Sequence, residues 1–239
     1  MQTMDGSRAE AFLLLYRQFE GLLEKRYAGR DWNGNVVTTY LSDPDSEPIR
    51  MELELCRRIR NILSHTVENT GEPVVEPSEG TLNRLRAIIE YVKRPVMAIN
   101  YGTPAEKILF AHPNDLAINV MRHMVKNGYS HVPVADQNRL VGVFSSGSLM
   151  LLAARRGLSQ VRDELRIGDM KDAIGFGDKR SERFMFLPKD ATLLAVRKAF
   201  EKRRERDHRL AVVFLTEDGT VRTPVRALLT SWDVLREDI

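Results

Sequence analysis

Apolar residues follow a helical period through the N-terminal part of the chain. From Ala9 to Tyr27, Phe12, Leu15, Tyr16, Phe19, Leu22 and Leu23 fall at three- and four-residue steps, one face of an amphipathic helix. Gly29–Pro48 is rich in Gly, Asn, Asp and Pro and reads as a turn-dense connection. A second helix is predicted from about Ile49 to His65, with Met51, Leu55, Ile59, Ile62 and Leu63 inward. A third covers Thr81–Lys93, with Leu82, Leu85, Ile88, Ile89 and Val92 inward. Ser78 or Thr81 is placed to cap it, and Arg94-Pro95 ends it. Helices joined by short loops make a small bundle over residues 1–95.

Beyond Pro95 the pattern changes. Val96–Ile99 is a short apolar strand or arm that crosses onto the next body, and Thr103–Ile108 reads as a short helix with Pro104 in its first turn. A helix over Leu116–Asn127 shares Leu116, Val120, Met121, Met124 and Val125 on one face and stops at Gly128. Strands Ser130–Ala135 and Leu140–Phe144 flank a turn at Asp136–Arg139, and a helix Leu149–Arg156 follows. The same order returns after a crossing segment, Val161–Met170, and a polar turn region, Lys171–Glu182. It runs through a strand Phe184–Leu187, a helix from Thr192 to about Arg204, strands Leu210–Leu215 and Ala227–Leu229 around a hairpin turn, and a helix start at Thr230–Leu235.

The repetition extends to residues. Leu140–Leu152 has its echo in Val225–Leu235, Pro113-x-Asp115 answers Pro188-x-Asp190, and Val132-Pro133-Val134 answers Ala211-Val212-Val213. An internal repeat says that one unit alone cannot bury its apolar face. The expected fold is α+β: an all-helical bundle, then a tandem pair of small α/β units over about 96–160 and 161–239.

Composition narrows the functions open to such a chain. The 36 basic and 33 acidic residues leave a net charge of +3, too faint a field for a dedicated binder of double-stranded DNA. Cys56 is the lone cysteine, which rules out an internal disulfide and suits a reducing compartment. The 5 histidines show no metal-ligand spacing, so no metal is expected. No apolar run is long enough to span a bilayer, and the start MQTMDGSRAE lacks the features of a secretory signal. The expectation is a cytoplasmic protein without membrane attachment.

Two stretches carry candidate chemistry. In the second helix, Arg57-Arg58-Ile59-Arg60-Asn61-Ile62-Leu63-Ser64-His65 stacks Asn61 and His65 on one side, with Arg57 a turn behind. A His can move a proton to or from an oxygen, an Arg can neutralise charge developing on a phosphodiester, and an Asn can orient either partner. Such a trio would cleave single-stranded RNA without a metal, through the ribose 2′-hydroxyl. Arg60-Asn61-Ile62-Leu63-Ser64-His65 resembles the signature of the HEPN superfamily, all-helical bundles whose members include metal-independent endoribonucleases with a site at a dimer interface. The resemblance implies catalytic roles for Arg60 and His65 and a supporting one for Asn61, in a homodimer; other members serve as binding or dimerisation modules.

The second stretch is the repeat itself. Val132-Pro133-Val134 with Gly142-Val143-Phe144-Ser145-Ser146-Gly147-Ser148, and Ala227-Leu228-Leu229-Thr230-Ser231-Trp232-Asp233-Val234-Leu235, resemble the two units of a tandem cystathionine-β-synthase (CBS) domain pair. That resemblance implies a regulatory module that dimerises and binds adenosine nucleotides (ATP, ADP or AMP) in clefts between units. A hydroxyl at a helix start suits a phosphate oxygen, and an Asp three residues on can hold a ribose diol. Thr230 and Asp233 supply that pair, whereas the first unit has Ser145 but Ser148 in place of the Asp. The strand Val212–Phe214 and the entering segment Phe184–Leu187 would wall the base, with His208 and Arg209 just ahead of the strand, near the phosphates. Ala227 stands where the first unit has Gly142. The function expected is an adenine-nucleotide-sensing regulator whose bundle is an endoribonuclease; the alternative is a non-enzymatic dimer controlling a partner protein.

Overall fold

The structure, a computed structural model, describes residues 7–29, 34–70, 73, 75–137, 139–157, 162–176, 182–202 and 209–234. The chain divides into two compact units, Met1–Val96 and Met97–Ile239.

The first unit is helical. Helix α1 (Arg8–Arg26) starts at Ser7, whose hydroxyl accepts the Ala9 N–H at 3.1 Å. Its buried face is Phe12, Tyr16, Phe19 and Leu23, with Leu15 and Leu22 half-buried beside them. The segment expected to be turns instead forms helix α2 (Val36–Ser42) and a 3-10 turn, Pro44–Ile49. Asn35 caps α2 through the Val37 N–H at 2.7 Å, and Val36, Val37 and Tyr40 bury its short apolar face. Helix α4 (Glu79–Lys93) is capped by Ser78 and buries all five residues expected on its inner face.

Helix α3 (Arg50–Thr70) departs from expectation. It buries Leu53, Cys56 and Leu63, while Met51, Leu55 and Ile62 are 85%, 42% and 47% exposed. The inward line runs 53, 56, 60, 63, and so passes through Arg60. The Arg60 guanidinium lies 5.9 Å from the Tyr16 ring centre, so a cation over an aromatic face joins this inward line, while Ile59 and Leu63 pack inward as expected. Burial of Cys56 pushes its thiol up to about 11, which leaves it protonated and unreactive near neutral pH.

The second unit carries the repeat. Its strands are β1 (Thr103–Pro104), β2 (His131–Asp136), β3 (Arg139–Ser145), β4 (Glu182–Pro188), β5 (Arg209–Thr216) and β6 (Val225–Leu229). Its helices are α5 (Ala117–Asn127), α6 (Ser146–Arg156), α7 (Lys171–Ile174), α8 (Leu193–Glu201) and α9 (Ser231–Val234). Strands β2 and β3 form an antiparallel pair, extended by a parallel bridge from Ala111 to Val134. The other sheet has the order β1-β6-β5-β4, with β4 parallel to β5 and the remaining pairs antiparallel. Entering segment, helix and antiparallel hairpin therefore recur in both halves. Two expectations shift: Thr103–Pro104 is a strand leading into a 3-10 turn, and Val125 on α5 is exposed.

Strand register fixes which positions correspond. Gly142 faces Val134 and His131 faces Ser145 in the first hairpin; Ala227 faces Leu215 and Leu229 faces Val213 in the second. Gly142 precedes Ser145 by the same step that Ala227 precedes Thr230, so Val134 corresponds to Leu215 and His131 to Val212. Val132 therefore matches Val213, two residues along from the pairing that the sequence suggested.

The lead-in segments are exchanged. Met97 bridges Thr192, and the Ala98 N–H donates to the Ala191 carbonyl at 3.0 Å, so Ala98 packs with Leu193 and Val196 of the second repeat. Conversely Arg166 bridges Leu116, the Ile167 N–H donates to the Asp115 carbonyl at 2.9 Å, and Ile167, Met170 and Ile174 join Val120, Phe144 and Leu152 of the first. Each repeat thus completes its core with the other's lead-in. Between the sheets lie Leu140, Val143, Val212, Phe214 and Leu228, with Phe186 stacked on Phe214 at 5.5 Å. Each such side chain contributes about 1.5–3 kcal/mol by leaving water.

Candidate functional site

The second repeat places its hydroxyl and carboxylate together. Thr230 follows the last residue of β6, where the backbone leaves the sheet and turns into α9. Its N–H donates to Asp233 Oδ2 at 2.6 Å and its hydroxyl to the same oxygen at 2.8 Å. One carboxylate oxygen thus gathers two donors, both half-buried and within reach of solvent. A vicinal diol offers two hydroxyl donors in similar geometry, so it could replace the internal pair, releasing the Thr230 N–H and hydroxyl for an anionic oxygen. Trp232, beside this pair, is 84% exposed.

The remaining residues expected at this cleft have other placements. Val212 is fully buried among Leu140, Val143, Phe214 and Leu228, so it is a core residue between the sheets instead of a wall for a base. Phe184 and Phe186 also pack against that cluster, held edge-on to Phe176. Arg209 is exposed at the start of β5, opposite Glu182 in the strand register. His208 lies outside the described residues.

The first repeat is closed at the corresponding point. Ser145 is 1% exposed and caps α6: it accepts the Ser148 N–H at 3.3 Å while the Ser148 hydroxyl accepts the Ser145 N–H at 3.2 Å. Its own hydroxyl donates to Glu182 Oε2 at 2.8 Å. Glu182 Oε1 lies 3.2 Å from His131 Nε2, and His131 Nδ1 lies 2.8 Å from the Ser130 hydroxyl. The His131 ring meets Phe184 edge-on at 6.3 Å. Glu182 and His131 went unnoticed in the sequence. Ser145 and Glu182 are separated by 37 positions and belong to different repeats, and only the packing of the two repeats brings them together.

On α3, Arg60 Nη1 donates to Asn61 Oδ1 over a long 3.5 Å, and Arg60 Nη2 lies 3.8 Å from Glu20 of α1. Burial, then the Glu20 charge, raises the Tyr16 hydroxyl well above its ordinary value, against the pull of Arg60. Arg57 Nε is buried without a hydrogen bond among the described residues. His65 is exposed. Arg60 and Asn61 are therefore brought together, and Arg60 is engaged with α1. Among the described residues, no group of three or more His, Cys, Asp or Glu side chains could hold a metal ion. No described helix is long and apolar enough to cross a membrane.

Residues 88–155 match the family described as the CBS domain, a span that includes the whole of the first hairpin, helix α5 and all but the last residue of α6. Solved structures of similar fold include CbpB in complex with c-di-AMP, 20% identical, covering 58% of this chain and 81% of that one with a TM-score of 0.41. CBSX2, known from Arabidopsis thaliana, in complex with AMP is 20% identical, covering 60% and 96% with a TM-score of 0.42. The CBS domain pair of protein MJ0100 with 5′-methylthioadenosine and S-adenosyl-L-methionine is 15% identical, covering 59% and 94% with a TM-score of 0.41. No curated protein matches the chain.

Proposed function

We propose that this protein is an adenine-nucleotide-sensing regulator, with the ligand held at Thr230 and Asp233. The observation that carries the reading is the convergence of the Thr230 N–H and hydroxyl on one Asp233 oxygen, in a tandem repeat whose first copy matches the CBS domain family. Asp233 would take the ribose diol, the Thr230 hydroxyl and N–H would turn to phosphate, and Arg209 would supply positive charge at the same end of the sheet. The ligand acts as an effector, ATP, ADP or AMP, and needs no metal to be held by this pair. Calorimetric titration of ATP, ADP and AMP into the full chain tests it. Heat from at least one of them, saturating at a defined stoichiometry, is expected; three flat titrations would refute it.

The same proposal includes a cytoplasmic homodimer, and α3 offers a surface for it. Met51, Leu55 and Ile62 form an exposed apolar stripe, with Glu52 and Glu54 at its beginning and Arg57 and Arg58 beyond. An antiparallel second copy would set the acidic half of each helix against the basic half of the other, as a two-fold contact requires. Leu55→Glu is expected to convert the dimer to monomer in sedimentation; a wild-type chain that sediments as a monomer across micromolar concentrations would remove the homodimer.

A second reading gives the helical unit an activity. The Arg60–Asn61 contact with exposed His65 on the same helix favours metal-independent cleavage of single-stranded RNA. His65 would accept the 2′-hydroxyl proton as that oxygen attacks phosphorus and return it to the 5′-oxygen as the P–O5′ bond breaks, leaving a 2′,3′-cyclic phosphate and a 5′-hydroxyl, with Arg60 released from Glu20 to neutralise the phosphate. Cleavage by wild type that His65→Ala reduces by roughly 100-fold or more, in a chelator, is the expected result. Without cleavage at any nucleotide concentration, the non-enzymatic alternative stands: a nucleotide-responsive dimer acting on a partner protein.

A further inference from the structure

The two repeats differ most where they should be most alike. Thr230 satisfies its donors within its own turn, through Asp233. Ser145, its counterpart, gives its hydroxyl to a carboxylate from the other repeat, Glu182, which His131 holds from the opposite side. Ser145 and His131 are cross-strand neighbours, so one carboxylate spans a matched pair at the mouth of the first hairpin. The first repeat lacks an acid at the position of Asp233 and has Ser148 there. Glu182 thus brings a carboxylate to the point where a nucleotide's anionic oxygens would otherwise meet the Ser145 hydroxyl.

A count along the chain from a matched strand position names the residue at the same place in the first repeat's lead-in. Leu187 pairs with Leu215, as Ala111 bridges Val134, so Leu187 and Ala111 correspond. Counting back equally along both segments makes Glu106 the counterpart of Glu182. Glu106 is exposed in the turn Ala105–Lys107, and it makes no hydrogen bond or ion pair among the described residues. The two glutamates share a sequence position but not a conformation: Glu182 opens a strand and is seated on Ser145 and His131, whereas Glu106 lies in a 3-10 turn and is free among the described residues.

We propose that Glu182 is a built-in occupant of the first cleft: it keeps that cleft closed, so that the chain takes a single nucleotide, and its withdrawal opens a second anion-binding site at Ser145 and His131. The count of one for the resting chain rests on the Thr230/Asp233 reading; the closure by Glu182 does not. A nucleotide able to compete with Glu182 at high concentration would then fill the two clefts in order, giving a two-stage response from one chain.

The test titrates ATP, ADP and AMP into the full chain and into Glu182→Ala, with Glu182→Asp as a second variant. The Asp variant keeps the charge on a side chain one methylene too short to span Ser145 and His131. All carry Trp32→Phe, which leaves Trp232, one of only 2 tryptophans, to report on the second cleft by fluorescence. Stoichiometry is expected to rise from one to two in both variants, the added event leaving Trp232 fluorescence unchanged and disappearing with Ser145→Ala. The proposal is overturned if wild type already binds two at equal affinity, or if both variants, folded by circular dichroism, bind no more than wild type. If wild type binds none while Glu182→Ala gains a site that Ser145→Ala removes, the Thr230/Asp233 reading falls and the closure stands.

Discussion

Asp233→Ala is expected to weaken adenine-nucleotide binding by roughly 10- to 100-fold, the scale set by losing hydrogen bonds to a charged acceptor. Asp233→Asn should fall between the two, since it keeps an oxygen to accept from a hydroxyl but lacks the charge. The same substitution removes the internal acceptor of the Thr230 N–H and hydroxyl, so a loss of about 1 kcal/mol of stability accompanies it, as for other helix-start caps. The two effects separate by measurement: calorimetry below the unfolding transition reads affinity, and thermal denaturation without ligand reads the cap. Thr230→Val removes the hydroxyl and leaves the carboxylate, so it should lower phosphate-dependent affinity (ATP against adenosine) more than affinity for adenosine itself. Unchanged affinity in Asp233→Ala, with the expected drop in melting temperature, would leave Asp233 a cap and nothing more.

How far the sequence announces this arrangement depends on what kind of contact decides it. Helix α4 is fully legible because its buried face is made only of large apolar residues at helical spacing. Helix α3 is legible as a helix but not in its orientation, since its inward line passes through Cys56 and Arg60 while a second apolar stripe, Met51, Leu55 and Ile62, remains exposed. Periodicity counts hydrophobes and cannot tell a core face from a docking face. Helix α2 was hidden because Val36-Val37-Thr38-Thr39 favours extended structure, and what decides it is the Asn35 cap and burial of Tyr40. The Thr230/Asp233 pair is local, three residues apart, and its meeting follows from chain geometry. Val212 and Ser145 depend on contacts between repeats: Val212 is buried by the facing sheet, and Ser145 is claimed by Glu182. Long-range packing, which no spacing encodes, settles both.

Gly142→Val is expected to cost about 3 kcal/mol or more, the upper range for overfilling a packed site. A Cβ on Gly142 would stand 2.3 Å from the Ile174 carbonyl oxygen and 2.7 Å from its carbon. Both are backbone atoms of the exchanged segment, so no side chain can swing aside to make room. The glycine is there for space, because its backbone does not adopt the left-handed conformation. Displacing Ile174 would pull Ile167, Met170 and Ala173 with it, since all four fill the core of the first repeat. Ala227, the equivalent position in β6, already carries a Cβ and is fully buried, opposite the β1 residue Pro104. Ala227→Gly should therefore lose only about 1 kcal/mol, the usual penalty for a glycine inside a regular element. Urea denaturation of the two variants reads the contrast directly. Similar losses for both would mean that the second repeat's lead-in is not locked against β3, and that the exchange of lead-ins adds little to the stability of the pair.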